Sequence, residues 1–338
     1  MKRLDMSVVS PHSERAERAS EFAAFARDCA VYSLASRAKI GLRGGDRVRW
    51  LNGMVTNNVR DLAADSGVYA FLLNPQGHIH GDLYAYNRGE SLVVDVEKSE
   101  MEKLLGVFDH YIIMDDVELT LLPDIAALGV AGPEARAPLA KLGITVPELE
   151  PLQLVETSWN QVPVTLVRGD NPAVATFELW IHPAEVDKLT QALRTAGGTP
   201  VSADAVELLR IASGIPRYGQ DIRERDLPQE TEQDRALNFN KGCYIGQEIV
   251  ERIRSRGNVH RKFTGFEIHG ALPAPGAKIQ VDGKDAGEIT SVASLPLGGS
   301  LRPVALGYIR REWAIPGKSV RAGESDATVA ALPFHNIF

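Results

Sequence analysis

The octapeptide Lys241-Gly242-Cys243-Tyr244-Ile245-Gly246-Gln247-Glu248 stands at the joint between two textures of sequence and is the most specific segment of the chain. Just beyond it, Ile245 to Arg256 has helical spacing. Ile249, Val250 and Ile253 are apolar, and Gly257 suits the position past a helix end. Cys243 therefore sits ahead of a helix N-terminus, two residues after Lys241. A helix dipole and a nearby cation both favour thiolate over thiol, which marks Cys243 and Lys241 as candidate catalytic residues. Gly242 and Gly246 permit a tight turn or the close approach of a ligand. The plainer alternative is a buried cysteine packing a turn beside a solvated lysine.

Positive charge continues outward from this point. Between 241 and 262, Lys241, Arg252, Arg254, Arg256, Arg261 and Lys262 outnumber Glu248 and Glu251, leaving the window at +4. The chain as a whole carries −7, so the remainder is at −11. Such a basic island is a candidate anion site for a phosphate, a polycarboxylate or an RNA backbone. Its alternative is a solvated helix face with pairs such as Glu248 and Arg252. The acidic balance argues against a general nucleic-acid coating.

After Arg261 the sequence breaks into short strands at 263–268, 278–281, 288–292, 304–309 and 319–322, separated by Gly pairs and prolines. This pattern predicts a small β-barrel or sandwich over 261–338. Upstream, helices are expected at 13–27 (capped by Ser13), 46–59, 99–107, 133–142, 183–195 and 202–212. Strands are expected at 68–73, 78–86, 91–96, 117–122, 125–130, 162–167 and 174–181. Asn74-Pro75-Gln76-Gly77 has type I turn chemistry and joins two of them into a hairpin. Strands and helices without regular βαβ alternation predict an α+β class for 1–260, with a sub-lobe break near 150.

The chain has 338 residues and two cysteines, Cys29 and Cys243. Two cysteines exclude a disulfide framework and fit a reducing compartment. No secretory signal or membrane-length apolar run is evident, so a cytoplasmic protein without membrane contact is expected. His78, His80 and Asp82 alternate along one expected strand and share a face, but this is a weak metal motif without an evident fourth ligand, and no metal is expected. G-x-G-x-x-G, a complete P-loop, G-x-S-x-G and H-E-x-x-H are all missing, which disfavours nucleotide-driven chemistry and the common hydrolases.

The cysteine segment resembles the K-G-C-[YF]-x-G-Q-E motif of the YgfZ proteins, folate-binding relatives of the glycine-cleavage T-protein (aminomethyltransferase) that assist iron–sulfur enzymes. Met54-Val55-Thr56-Asn57-Asn58-Val59 is similar to the family's Q-[LV]-T-N-D-V segment. Leu72-Leu73-Asn74-Pro75-Gln76-Gly77 is similar to its L-L-[ND]-x-x-G hairpin. Arg210 to Gly214 and Tyr218-Gly219-Gln220-Asp221 resemble its R-x-x-x-G…Y-G-x-[DE] stretch. The resemblance runs from about residue 30 to the C-terminus. It implies a ring of two α+β lobes and a C-terminal barrel, with tetrahydrofolate in the central cavity.

By this resemblance Glu178 aligns with a pterin-binding Glu, and Arg210 with an Arg near the folate. Asn57 and Asp82 join them as expected folate contacts, while Cys243, Lys241, Gly242, Tyr244, Gly246, Gln247 and Glu248 form the motif. The T-protein carries two consecutive aspartates, the first acting near folate N5. Here Gly81 takes that first position and Asp82 the second, which makes ordinary aminomethyl transfer doubtful. The resemblance implies an accessory protein for synthesis or repair of iron–sulfur clusters, with Cys243 as its thiol and iron–sulfur enzymes or cluster-assembly proteins as partners. A folate-dependent one-carbon transferase is the first alternative. A tRNA-binding module using the arginines of 252–262 (Arg252, Arg254 and Arg256 among them) is the second, since the family is linked to tRNA modification, a link that dependence on iron–sulfur tRNA enzymes would make indirect.

Overall fold

Three sheets organise the chain in the computed structural model, which describes residues 11–257, 259–297 and 300–335. The first has five strands in the order Ser66–Leu73, Ile79–Asn87, Leu92–Glu97, Arg37–Arg43, Glu118–Leu121. The second has six, in the order Thr199–Pro200, Ala30–Ser33, Ala126–Ala131, Thr176–Ile181, Val162–Arg168, Leu154–Trp159. The third closes into a barrel of six strands, Arg261–His269, Ser300–Arg310, Lys284–Leu297, Lys278–Val281, Ser319–Ala322 and Ser325–Ala330. The protein is thus two α+β lobes and a C-terminal barrel. No helix among the described residues is long and apolar enough to cross a membrane.

Period-two alternation decides how the first sheet is used. Ala70, Leu72, Leu83, Ala85, Val94 and Val96 point to one face and form a core with helices Arg47–Met54 and Met101–Tyr111. The intervening residues, Tyr69, Phe71, Asp82, Tyr84, Tyr86, Asp95 and Glu97, are aromatic or charged and point the other way. There Tyr84 and Tyr86 meet the second sheet, while Tyr69 and Phe71 pack with Tyr218, Ile222 and Tyr244. Tyr86 and Val93 pack with Ala127, Val167 and Trp180 in a core between the lobes. A further core joins helix Ala203–Ala212 and Phe22 and Phe25 of helix Pro11–Arg27 to Phe263, Leu306 and Tyr308 on the outside of the barrel.

Several expectations shift. The chain passes between the two lobes around residues 122–125 rather than near 150, because Ala126–Ala131 already pairs with Ala30–Ser33 in the second sheet. Helix Pro11–Arg27 begins ahead of Ser13. The helix expected over 46–59 ends at Met54. There Thr56 Oγ1 donates to the Ala236 carbonyl at 2.6 Å and accepts from the Phe71 N–H at 2.9 Å, so tertiary bonds replace the next helical turn. The strand Leu154–Trp159 was not expected. It pairs with Val162–Arg168 through Asn160 and Gln161, both at positive φ (48° and 68°), a hairpin turn without the usual glycine signal. Gly257 ends its helix in extended geometry (φ −136°), not in the left-handed region.

Candidate functional site

Between the two sheets the polar faces build a connected cluster. The Tyr69 hydroxyl donates to Asp82 Oδ2 at 2.7 Å, and its ring lies 5.0 Å from that of Tyr84. The Tyr84 hydroxyl donates to Asp170 Oδ1 at 3.2 Å. Asp170 also takes a short ion pair from Arg235, whose guanidinium lies 4.2 Å above the Tyr69 ring. Across the gap, the Trp180 indole N–H donates to Glu178 Oε2 at 2.8 Å, and its ring meets Tyr86 edge-on at 5.1 Å. Beneath these, Asp95 is buried and pairs with Lys39 at 2.8 Å and Arg37 at 3.0 Å, so both cations are held in place.

The electrostatics follow from burial. Loss of water raises the Asp82 carboxyl, opposed by the Tyr69 hydrogen bond and by Arg37 and Arg235. Burial also drives Tyr69 and Tyr86 well above the usual phenol range, so both stay protonated and Tyr69 stays a donor to Asp82. A groove of about 500 Å³ adjoins the cluster at Asp170 and Arg235 and runs between the lobes and the barrel, past Ser213, Lys262, Phe263 and Leu332.

The geometry corrects the reading of Gly81. A side chain there would meet Leu104 at 3.4 Å on the apolar face of the sheet. Position 82, one residue on, faces the cluster. Glycine at 81 therefore takes no carboxylate away from the polar cluster, and Asp82 is the one that joins it.

Two expected folate contacts are otherwise engaged. Arg210 spends its guanidinium on Glu207 twice, Asp221, the Ile215 carbonyl and Ser291, at 2.6–3.0 Å. A guanidinium has five N–H donors, so none remains for a ligand. This residue instead ties helix Ala203–Ala212 to the barrel. Asn57 donates to the Tyr69 and Arg235 carbonyls, both at 2.8 Å, and so positions the loop that carries Arg235. Glu178 and Asp82 remain on the cavity side.

The cysteine motif forms a separate feature. Lys241 is buried, and its amine donates to the Asn52, Val55 and Asn57 carbonyls at 2.5, 2.5 and 2.7 Å. Two of these lie at the C-terminal end of helix Arg47–Met54, where carbonyls lack intrahelical partners. Burial, with Arg60 nearby, pulls this amine down to about 7. The expected role of Lys241 as a cation serving Cys243 is thus corrected to that of a clamp. Ile245 N–H donates to the Gly53 carbonyl, and the Gln247 amide oxygen closes the turn on Tyr244 N–H at 3.3 Å. Tyr244 is buried with Tyr69, Phe71 and Tyr218.

The glycines act by close approach. Gly246 has φ +78°, and a Cβ there would stand 2.6 Å from the Asn74 carbonyl oxygen. A Cβ on Gly77 would stand 2.6 Å from Ile249 Cβ. The hairpin turn and helix Gln247–Arg256 thereby interlock. Cys243 itself is exposed. It lies three residues before the N-cap Gly246, farther from the helix start than the sequence suggests.

The basic island does not form one free surface. Arg261 pairs with Asp226 and Glu230, and Lys262 with Glu232. Arg254 rests on Phe239 and pairs with Glu251 one helical turn away. Arg252 is exposed and Glu248 lies in the first helical turn. Arg256 ends that helix. His78 precedes the strand and binds the Arg225 carbonyl, while His80 faces Glu224, so the expected common face of His78, His80 and Asp82 is broken.

Sequence reading missed Arg37, Lys39, Tyr69, Tyr84, Asp170, Trp180 and Arg235. The signal for part of the set was present, because Asp82, Tyr84 and Tyr86 alternate with small or apolar residues on a strand whose other face is core. Asp170 and Arg235 come from distant loops and carry no such periodicity.

Two sheets that meet through a carboxylate- and aromatic-rich cluster, followed by a C-terminal barrel, define the class to which the comparisons point. The profile of the GCVT N-terminal domain matches residues 10–241, and the chain belongs to that family. It is 28% identical over 310 residues to an aminomethyltransferase of Rubrobacter xylanophilus, spanning 90% of this chain and 82% of that one. It is 30% identical over 233 residues to the tRNA-modifying protein YgfZ of Yersinia pseudotuberculosis, spanning 67% of each. The crystal structure of the glycine cleavage system aminomethyltransferase T of Bartonella henselae superposes with a TM-score of 0.83 at 21% identity, over 94% of this chain and 89% of that one. This last likeness concerns the fold.

Proposed function

We propose that this protein binds a reduced folate between its two sheets and serves, through Cys243, as an accessory factor for enzymes that carry iron–sulfur clusters, tRNA-modifying enzymes among them. One observation carries the reading. In the Lys241–Glu248 turn, the lysine, Tyr244, Gly246 and Gln247 are all engaged in holding the turn, and the Cys243 thiol is left facing solvent. A single thiol cannot hold a stable cluster alone, which favours a transient role.

The cavity residues fit the folate. Asp82 and Glu178 are carboxylates suited to the N–H edge of a pterin, Tyr84 offers an aromatic face, and Arg235 and Arg37 offer guanidinium groups. Bound there, a reduced folate would supply nitrogen atoms able to carry a one-carbon unit. The chain's own part is to hold the ring edge and to keep Tyr69 donating to Asp82. The test of the thiol is Cys243→Ser in cells lacking the protein. Folate binding should persist and the activity of iron–sulfur tRNA-modifying enzymes should fall to the deletion level; full complementation would remove the thiol from the account.

A second reading, a folate-dependent one-carbon transferase, is favoured by the placement of Asp82 on the cavity face. It requires methylene-folate formation from an aminomethyl donor, and absence of turnover above background would exclude it.

A further inference from the structure

We propose that Lys241 is a positioning residue for Cys243, seating the turn that presents the thiol only while its amine is charged. The inference rests on the reading of Cys243 as the functional thiol and concerns how that thiol is controlled. An ammonium has three N–H donors, and three backbone carbonyls receive them, those of Asn52, Val55 and Asn57. The neutral amine has two. Loss of the proton therefore leaves one of the three carbonyls without its partner in a largely buried site.

The consequence reaches Cys243 because the turn is tied on both sides of it to the same short segment. Lys241 binds the carbonyls of Asn52, Val55 and Asn57, and the Ile245 N–H binds the carbonyl of Gly53. Weakening the first tie by one of its three bonds leaves Cys243 held more firmly from one side than from the other. The groups facing the amine are Arg60, from the segment after the helix, and the Tyr244 ring at 4.9 Å, from its own turn. Arg60 disfavours the charge and the carbonyls favour it. Burial places the balance near 7, within the range a cell visits.

The experiment is alkylation of Cys243 by iodoacetamide in the full-length protein, read by mass spectrometry from about pH 6 to about pH 8.5. Each rate is divided by the thiolate fraction measured by absorbance against a Cys243→Ser blank. Cys29 stays silent, since burial pushes its thiol up to about 11. The wild-type rate per thiolate should rise about threefold or more across this range as the clamp loosens. Lys241→Gln, which offers two donors and no charge, should show the higher value throughout, and Lys241→Arg should hold a pH-independent value. A wild-type rate per thiolate that is flat and within about twofold of Lys241→Gln overturns the proposal. Should the variants fail to fold, amide exchange of the wild type decides. Segments 52–57 and 241–247 should lose protection with rising pH beyond the intrinsic rate, and unchanged protection is the contrary result. These readouts involve no iron–sulfur enzyme. A failure of the proposed function, read as complementation by Cys243→Ser, is therefore separable from a failure of the clamp.

Discussion

Asp82 is raised by burial above the ordinary carboxylate value, and the direction of that shift fixes its pH behaviour. A carboxyl with a raised folded pKa favours folding when protonated. That contribution is complete below the unfolded value of 3.8 and is lost as pH rises through the folded one. When ionised, the group is therefore a cost to folding. Asp82→Asn should raise stability near pH 7 by on the order of 1 kcal/mol, with the gain vanishing below about pH 4, while folate affinity falls. Urea denaturation at both pH values checks the first part; equal stability at both would mean the shift is absent. At this scale the sequence showed which residues are chemically able, but not which are already engaged. Arg210 and Asp82 look alike as candidates in sequence. The five donors of Arg210 are consumed by Glu207, Asp221, Ile215 and Ser291; the Glu207 pair has visible helical spacing, but the turn that brings Asp221 and the Ile215 carbonyl back, and the distant Ser291, do not.

Among the elements, the hairpin of Ser66–Leu73 and Ile79–Asn87 was legible because Asn74-Pro75-Gln76-Gly77 states its turn chemistry openly. Gly77 N–H donates to the Asn74 carbonyl at 2.9 Å, and His78 N–H to Asn74 Oδ1 at 3.0 Å. The strand Leu154–Trp159 was not legible, because a turn of Asn160-Gln161 lacks glycine. Nor could spacing tell that the hairpin turn would dock on the cysteine helix. That docking predicts a contrast between two glycines. Gly77→Ala forces a Cβ against Ile249 at a residue with φ +77°, and should cost about 1–3 kcal/mol. Gly106→Ala, on an exposed part of helix Met101–Tyr111 with nothing within 4 Å of the new Cβ, should gain about 0.5–1 kcal/mol. Denaturant midpoints measure both, and a neutral Gly77→Ala would mean that the turn and the helix do not interlock.

Over the whole molecule, class and barrel follow from texture: short strands after Arg261, mixed elements before it. The boundary between the α+β lobes did not, because their strands interleave along the chain and only long-range pairing assigns Ala30–Ser33 and Ala126–Ala131 to one sheet. The polar cluster exists because Asp82, Tyr84 and Tyr86 of one sheet meet Glu178 and Trp180 of the other, a property of neither lobe alone. The account's centre is that a reduced folate binds at this cluster while the Cys243 thiol works apart from it. Calorimetric titration of the wild type and of Cys243→Ser with tetrahydrofolate tests it most directly. One saturable site per chain with closely similar affinity in both proteins is the predicted result; no binding by the wild type, or binding that disappears with the thiol, would contradict it.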